Sequence, residues 1–211
     1  MSHIVRNRPW GTVDLILHEN RVFFQQNWFY HWLTEPGVNP WTYPERLHFH
    51  NSLDRQIWAR WSNRIVLQVQ GTTPLARRLA RTGVPINFDV RWVRVNGHWD
   101  VFARKLPRGG SYRSNVLFGR RVINLDSEDL APHIACRDDR TTCAENFLTV
   151  PHEFSHTLDN RDEYNRASPY YADTASIVNI GGKVRARHLH LIVTELNTMV
   201  RGCTFSVPAE V

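Results

Sequence analysis

The feature that most constrains this chain is the segment VPHEFSHTLDNRDEY at residues 150–164, in which two histidines stand four positions apart. On a helix, residues four apart share a face, with about 5–6 Å between Cβ atoms, so His152 and His156 can reach one metal ion. Two imidazoles at this spacing suit Zn²⁺. Glu153 follows the first histidine and can act as general base for a metal-bound water. The segment therefore predicts a helix that carries two zinc ligands and a catalytic carboxylate.

Apolar residues around the motif predict that this helix is buried. They are Phe147, Leu148, Val150, Phe154 and Leu158. Pro151 directly precedes the first histidine, and proline is accepted in the first helical turn but disrupts a helix interior. The helix is therefore expected either to begin near residues 149–150 or to be kinked there.

A catalytic zinc ion takes three protein ligands and keeps one open position, and two residues compete for the third place. Asp162 lies six residues after His156, the spacing of the metzincin pattern HExxHxxGxxH/D, with Asp159 where that pattern has glycine. Aspartate tolerates left-handed backbone better than most residues, so a sharp turn remains possible there. Glu195, in the helical-looking segment RHLHLIVTELNTMV, matches the downstream glutamate of gluzincins. The residues alone leave both assignments open.

Residues 145–199 resemble bacterial effector metallopeptidases, in particular the C-terminal peptidase domains of type VI secretion VgrG spike proteins. The resemblance rests on HEFSHTLDNRDEY and on DTASIVNIGGKVRARHLHLIVTELN, about a quarter of the chain. It implies a zincin-like fold with zinc held by His152 and His156, Glu153 as the base, and a helical glutamate as third ligand, which favours Glu195. The segment SIVN at 176–179 resembles the Met-turn SIMN, with Val178 where methionine is usual.

The same resemblance implies a zinc metalloendopeptidase that acts as an antibacterial toxin, with a protein or peptide substrate and a secretion spike or immunity protein as further partners. The first twenty residues lack the apolar core of a signal peptide, so export by another route into a target cell's periplasm is expected. No apolar run approaches the 18 or so residues that a membrane-spanning helix needs, so no transmembrane segment is expected.

Several polar side chains are further candidates for the site. His188 and Tyr164 are candidates for contacting the substrate or its oxyanion. His190, Tyr170 and Tyr171 are weaker candidates for that role. If LHFH at 47–50 is a strand, its two histidines share a face and form a second, weaker metal-binding candidate.

The distribution of patterns predicts one α+β domain, in which a mixed or antiparallel sheet packs on the active-site helix. Residues 1–62, rich in tryptophan and broken by prolines, are expected to form an irregular wrapping segment containing a helix capped by Asn51 or Ser52. Residues 63–130 should form the sheet, including a hairpin turning at Asn96-Gly97. Residues 141–200 should hold the active-site and C-terminal helices. Arg121–Leu125 is the expected edge strand for binding extended substrate.

Charge and cysteine content leave two further questions open. The net charge of +6, with a pI near 9.6, motivates an alternative class, a basic nucleic-acid-binding module without catalytic zinc. The metallopeptidase hypothesis, which we favour, involves no nucleic-acid partner. A third hypothesis keeps zinc as a structural ion with His188 as fourth ligand. Cys136 and Cys143 bracket a short polar loop and can be a disulfide or two free thiols.

Overall fold

The computed structural model describes residues 3–208, which form an α+β structure built on one large mixed sheet. The strands are β1 (His3–Arg8), β2 (Gly11–Ile16), β3 (Arg21–Thr34), β4 (Val66–Gln70), β5 (Val84–Val93), β6 (Trp99–Lys105), β7 (Asn115–Leu117), β8 (Val122–Asp126), β9 (His133–Cys136), β10 (Cys143–Phe147) and β11 (Thr204–Ser206). The helices are α1 (Tyr43–Trp61), α2 (Pro74–Thr82), α3 (Thr149–His156) and α4 (His190–Met199). The predicted α+β class with a mixed sheet is confirmed.

The long strand β3 organises the sheet, whose order is β11-β4-β5-β3-β6-β8-β7. Along one side of β3, β5 runs parallel to residues 22–29. Along the other side, β2 runs antiparallel to residues 21–25 and β6 runs parallel to residues 28–34. The sheet thus widens from a meander, β1-β2-β3, into a parallel centre. At the far edge, β7 turns back antiparallel to β8.

The expectation of an irregular wrapping layer over residues 1–62 is wrong. Residues 3–34 contribute three strands, and β3 is the centre of the sheet. Alternate residues of β2 and β3, from Val13 to Tyr30, are buried, which is the period-2 pattern of a strand. Most tryptophans of this region pack in the core that these strands create.

The predicted hairpin at Asn96-Gly97 is also wrong, although a turn does form there. Strands β5 and β6 do not pair with each other; β3 lies between them and both run parallel to it. Residues 94–98 therefore cross β3 instead of closing a two-strand ribbon. Asn96 adopts a left-handed conformation with φ of 55°, as the turn signal indicates. The pairing partner, however, comes from sixty residues earlier in the chain.

Gly97 makes that crossing possible, and its replacement is expected to destabilise the protein. A Cβ at this position would lie 2.8 Å from Cβ of Phe29 and 2.9 Å from the carbonyl oxygen of Trp99. We therefore expect Gly97→Ala to lower the free energy of unfolding by about 1–3 kcal/mol, the usual cost of overpacking. Gly119→Ala is the matched control, since a Cβ there meets nothing within 4 Å. Urea unfolding curves of both variants test this; equal midpoints for the two would contradict the crossing.

Helix α1 packs across the sheet and begins earlier than predicted. Its N-cap is Thr42, not Asn51 or Ser52, and Thr42 and Glu45 form a reciprocal capping box. His48 and His50 are therefore helical, so they do not share a strand face. His48 is exposed, while His50 is partly buried against the hydroxyl of Tyr30, so the second metal-binding candidate is wrong. Helix α2, at 74–82, buries Ala76 and Leu79.

The sheet edge next to the HExxH motif is β7, not the expected 121–125 segment. Strand β8 is an inner strand here, because β6 pairs with it on one side and β7 on the other. Strands β7 and β8 form a hairpin, and the unpaired edge falls on Asn115–Leu117. The chain reverses between the two strands through Phe118–Arg120, with Arg121 in a left-handed conformation.

A second, two-stranded sheet precedes α3 and is closed by a disulfide. Cys136 of β9 and Cys143 of β10 are directly paired in the register and joined by the disulfide, which resolves the question left by the sequence. Cys203 is a free, buried thiol. Within residues 3–208, no helix combines the length and the apolarity that crossing a membrane requires.

Candidate metal centre and active site

Helix α3 is held in the core between the sheet and α1. Phe154 packs edge to face on Trp61 of α1 and Phe88 of β5, with ring centroids 5.5 and 5.8 Å apart. Pro151 is the third helical residue, where no intrahelical N–H bond is lost, so the helix begins at residue 149 without needing a kink. The indole of Trp61 donates to the carbonyl of Pro151 at 3.1 Å. These contacts fix which face of α3 points into the cleft.

The two histidines of the motif and Asp162 converge on one point. Nε2 of His152 lies 3.2 Å from Nε2 of His156, and Oδ1 of Asp162 lies 3.2 Å from each of them. Bonds of about 2.0–2.1 Å to a tetrahedral zinc would place ligand atoms roughly 3.3 Å apart. Among the described residues, these three form the one His, Cys, Asp or Glu group compact enough to hold a metal ion.

Backbone carbonyls orient both imidazole rings toward this point. Nδ1 of His152 donates to the carbonyl of Ile177 at 2.8 Å, and Nδ1 of His156 donates to that of Asn160 at 2.7 Å. With Nδ1 carrying the hydrogen, the neutral tautomer presents the Nε2 lone pair. Metal-binding histidines usually donate their other ring N–H to a carbonyl or carboxylate in this way, which fixes the orientation of the ring. The rings are therefore preorganised as ligands.

A sharp turn after α3 carries the chain back to the histidines. Asp159 adopts a left-handed conformation with φ of 62°, which confirms that aspartate can turn the chain where the metzincin pattern has glycine. The side-chain amide of Asn160 donates to the carbonyls of Ser155 and His188, which holds the turn against α3. Asp162 then emerges beside the metal-binding point.

The segment 176–179 lies beneath the site. Its Ile177 carbonyl orients His152, and its Val178 carbonyl accepts from the backbone N–H of Glu163 at 2.8 Å. Val178 is fully buried in the position where methionine is usual. This segment thus anchors both His152 and Glu163, the residue that follows Asp162.

The favoured assignment of Glu195 as third ligand is contradicted by its position. Arg8 of β1 binds both carboxylate oxygens of Glu195, at 2.9 and 3.0 Å, and Arg6 lies 3.8 Å away. A bidentate guanidinium satisfies this buried carboxylate and ties α4 to the β1-β2 meander. The structure instead brings the alternative, Asp162, to the two histidines.

His188 is placed behind the site and not in the cleft. Its side chain is 1% exposed; Nδ1 accepts from the backbone N–H of Arg185, and Nε2 lies 3.3 Å from the hydroxyl of Ser176. It has no access to substrate in this arrangement, and it is not part of the metal-binding group, so both roles considered for it are wrong. Its contacts instead brace the 176–179 segment.

Tyr164, in contrast, lines the cleft. Its hydroxyl donates to Oδ2 of Asp162 at 2.8 Å, and its ring stacks on that of His152 with centroids 6.3 Å apart. Burial, followed by the hydrogen bond to Asp162, raises the pKa of Tyr164 to about 12, so the phenol keeps its proton at neutral pH. Tyr170 and Tyr171 lie elsewhere, under Arg187 and Arg137 respectively.

Glu153 is buried without a hydrogen-bond partner for one of its oxygens. The residue is 7% exposed, and Oε2 has no partner within the described part of the chain. Burial raises the pKa of Glu153, and the neighbouring histidines and Arg113 oppose that rise. A buried carboxylate with a free oxygen is costly to keep for structure alone, and it is suited to accept a proton.

The three convergent groups are electrostatically coupled. Burial lowers the pKa of His156, but the carboxylates of Asp162 and Glu153 outweigh it and raise that pKa to about 9. Burial raises the pKa of the Asp162 carboxyl. The two histidines outweigh that effect and hold the pKa well below its usual range. The carboxylate of Asp162 and the imidazole of His156 are thus paired as opposite charges.

A cleft of about 360 Å³ opens above these groups. Its far wall is the β7 edge, from Arg113 to Val116, which faces His152 and Glu153. None of these residues was among the candidates that the sequence offered for the site. The signal that was available is the short hairpin, which puts a free strand edge close to the helix that follows the sheet.

Comparisons with protein-family models, with curated proteins and with solved structures find no match to this chain.

Proposed function

We propose that this protein is a zincin-like, zinc-dependent peptidase. The observation that carries the proposal is the 3.2 Å triangle of His152, His156 and Asp162, with Glu153 buried beside it and a strand edge across the cleft. Two imidazoles and one carboxylate are a donor set that zinc takes in catalytic sites, where a fourth position stays open. When bound, zinc would polarise the scissile carbonyl and lower the pKa of a bound water.

The chain's own residues supply the remaining functions of a hydrolase. Glu153 accepts the proton of the attacking water at its unpartnered oxygen and passes it to the leaving amine. Tyr164, which keeps its proton at neutral pH, is placed to donate to a developing oxyanion if it releases Asp162. The β7 edge, Asn115–Leu117, offers backbone groups that pair with an extended peptide. These roles favour peptide-bond hydrolysis over other metal-assisted hydrolyses.

We further propose that the peptidase is an antibacterial effector that acts in the periplasm of a target cell. The resemblance of residues 145–199 to secreted effector peptidases supports this, and the disulfide of Cys136 and Cys143 is compatible with an oxidising compartment. A secretion spike and an immunity protein are the partners that this proposal requires. Targeting the protein to the periplasm of a test bacterium, with and without Glu153→Ala, would test it: loss of growth should need the intact glutamate.

The first test of the proposed function uses the purified protein. We expect one zinc per chain by elemental analysis, cleavage of an unstructured protein such as casein, loss of cleavage with a chelator, and recovery on adding zinc. The proposal requires both results, one zinc per chain and cleavage that depends on zinc. Protein without zinc even after reconstitution would remove it, and salt-sensitive binding to nucleic acid would then support the alternative class.

A further inference from the structure

A second cavity, of about 460 Å³, adjoins the cleft and shares Glu153, Arg113 and Tyr164 with it. It extends away from the metal-binding point toward Asn179, the last residue of the 176–179 segment beneath the site, and toward Phe147 and the disulfide-closed hairpin. Apart from His152, Glu153 and Tyr164 at the boundary with the cleft, no residue of this lining has a role in the proposed hydrolysis. A peptide bound with its scissile bond at Glu153 would place a neighbouring side chain at the mouth of this cavity.

Carboxylates dominate the charge of the cavity wall. Asp126 and Asp129 are buried, at 2% and 7% exposure, while Glu128 is exposed. Arg113 is the one arginine of the lining, and no lysine lines it. With Glu153, four carboxylates thus face one permanent cation. The wall therefore favours a ligand with positive charge.

Part of this acceptor capacity is already used by the fold. Asp126 accepts backbone N–H bonds from Glu128 and Tyr112. Asp129 accepts from the Ser114 hydroxyl at 2.6 Å and from the Asp126 backbone at 2.8 Å, both at Oδ2. Those two bonds fix the side chain of Asp129 and leave its Oδ1 for a ligand.

Asn179 supplies an independent sign that this cavity takes a hydrogen-bond donor. The residue is fully buried, and its side-chain nitrogen donates to the carbonyls of Glu163 and Tyr171, which sets the orientation of the amide. Its Oδ1 has no partner within residues 3–208, although Asn179 lines the cavity. A buried carbonyl oxygen left unpaired costs about 1–3 kcal/mol, and a donor brought by a ligand would remove that cost.

We propose that this cavity binds the positively charged side chain, an ammonium or a guanidinium, of the substrate residue next to the scissile bond. The inference rests on the proposed peptidase function and names its substrate class: peptides with a lysine, arginine or similar basic residue at that position. Asp129 and Asn179 accept from the cation inside the cavity, and Glu128 attracts it at the mouth.

An organic cation fits these acceptors better than a second metal ion does. Within the described residues, the carboxylates of this cavity do not come close enough together to form a metal-binding group. An ammonium has three donors and a guanidinium five, so either can satisfy acceptors that are spread along a wall. Burial, and then the nearby Asp126, raises the pKa of Asp129 to about 7; an adjacent cation would restore its ionised form.

The test compares two quenched fluorescent peptides that differ only in having lysine or norleucine beside the scissile bond. Their cleavage site is first located by mass spectrometry on a digest of a mixed peptide library with the zinc-loaded wild type. We expect basic residues to be enriched at one position flanking the cut, and the lysine peptide to have at least a tenfold higher kcat/KM. Asp129→Asn should reduce that preference about tenfold.

Controls separate charge recognition from folding. Glu145→Gln removes an exposed carboxylate of β10 outside this cavity and should keep the full preference for lysine. Glu128→Gln, at an exposed position, should reduce the preference about two- to threefold, and it serves as the test if Asp129→Asn does not fold. Binding of both peptides to the metal-free wild type, measured by calorimetry, gives a readout without turnover.

The outcomes distinguish this inference from the proposed function. Cleavage with no preference for a basic residue, unchanged by Asp129→Asn or Glu128→Gln, would overturn the inference and leave the peptidase standing. No cleavage of any library peptide by the zinc-loaded protein would overturn the peptidase; the inference would then stand only as a cation-binding cavity if calorimetry still shows tighter binding of the lysine peptide. Equal binding of the two peptides in that case would overturn the cation-binding inference as well as the proposed function.

Discussion

Glu153→Ala is expected to abolish peptide hydrolysis while leaving the metal site intact. The carboxylate lies beside the ligands but outside the group of His152, His156 and Asp162, so zinc content should stay at one per chain. Loss of the general base should lower kcat by about 10²–10⁴-fold. Fold stability should not fall, because the side chain is buried with an unpartnered oxygen and its removal relieves that burial cost.

Steady-state kinetics, elemental analysis and thermal unfolding of this variant together check the expectation. Glu145→Ala, which removes a glutamate from an exposed position, is the matched control and should resemble the wild type in all three. A Glu153→Ala protein that hydrolyses peptides at the wild-type rate would show that the proton is taken by another group. A variant that loses zinc as well would show that Glu153 is a ligand and not a base.

The second large effect separates the two candidate third ligands. Asp162→Ala should weaken zinc binding by more than about 100-fold, because changes to residues that only orient a ligand already cost about 10–100-fold. Glu195→Ala should retain zinc, because its carboxylate is bound by Arg8 and not by the histidines. It should instead lower the melting temperature of the metal-free protein, since Arg8 loses its partner.

Competition with a chromophoric zinc chelator gives the affinities, and calorimetric unfolding gives the stabilities. The two variants should therefore fail in different assays, each acting as control for the other. Retention of zinc by Asp162→Ala together with its loss from Glu195→Ala would reverse the assignment made from the structure.

Local sequence determined much of the metal-binding half of the site. The four-residue spacing of His152 and His156 needs only a helix to bring the rings together, and the flanking apolar residues supply a reason for that helix to be buried. The turn at Asp159 is likewise a local property, since aspartate accepts left-handed backbone. Asp162 follows within one turn of chain, so it was a candidate on spacing alone.

The choice between Asp162 and Glu195 was beyond the sequence. Both are carboxylates at plausible spacing, and the resemblance favoured the wrong one. The position of β1, some 190 residues away along the chain, excludes Glu195, because Arg8 of that strand binds its carboxylate. Charge pairing across such a separation leaves no local pattern, because any of the chain's many arginines could have been the partner.

In the sheet, too, local sequence predicted the elements but not how they pack together. Alternation of buried and exposed residues marks β4 and β5 as strands, but it cannot say which strands are neighbours. The turn at Asn96-Gly97 favours pairing of β5 with β6, and only the insertion of β3 between them excludes it. The cavity of Asp126, Asp129 and Asn179 could not be predicted for the same reason, since its walls come from several separate segments between residues 110 and 180.

The sequence by itself thus determined the α+β class, the helix of the HExxH motif and the turn that follows it. These depend on interactions between residues a few positions apart, which spacing and residue type encode directly. The tertiary structure decided which carboxylate lies beside the two histidines, where the free sheet edge falls and how the second cavity is formed. Each of these depends on which distant segments pack together, and packing is a property of the whole folded chain.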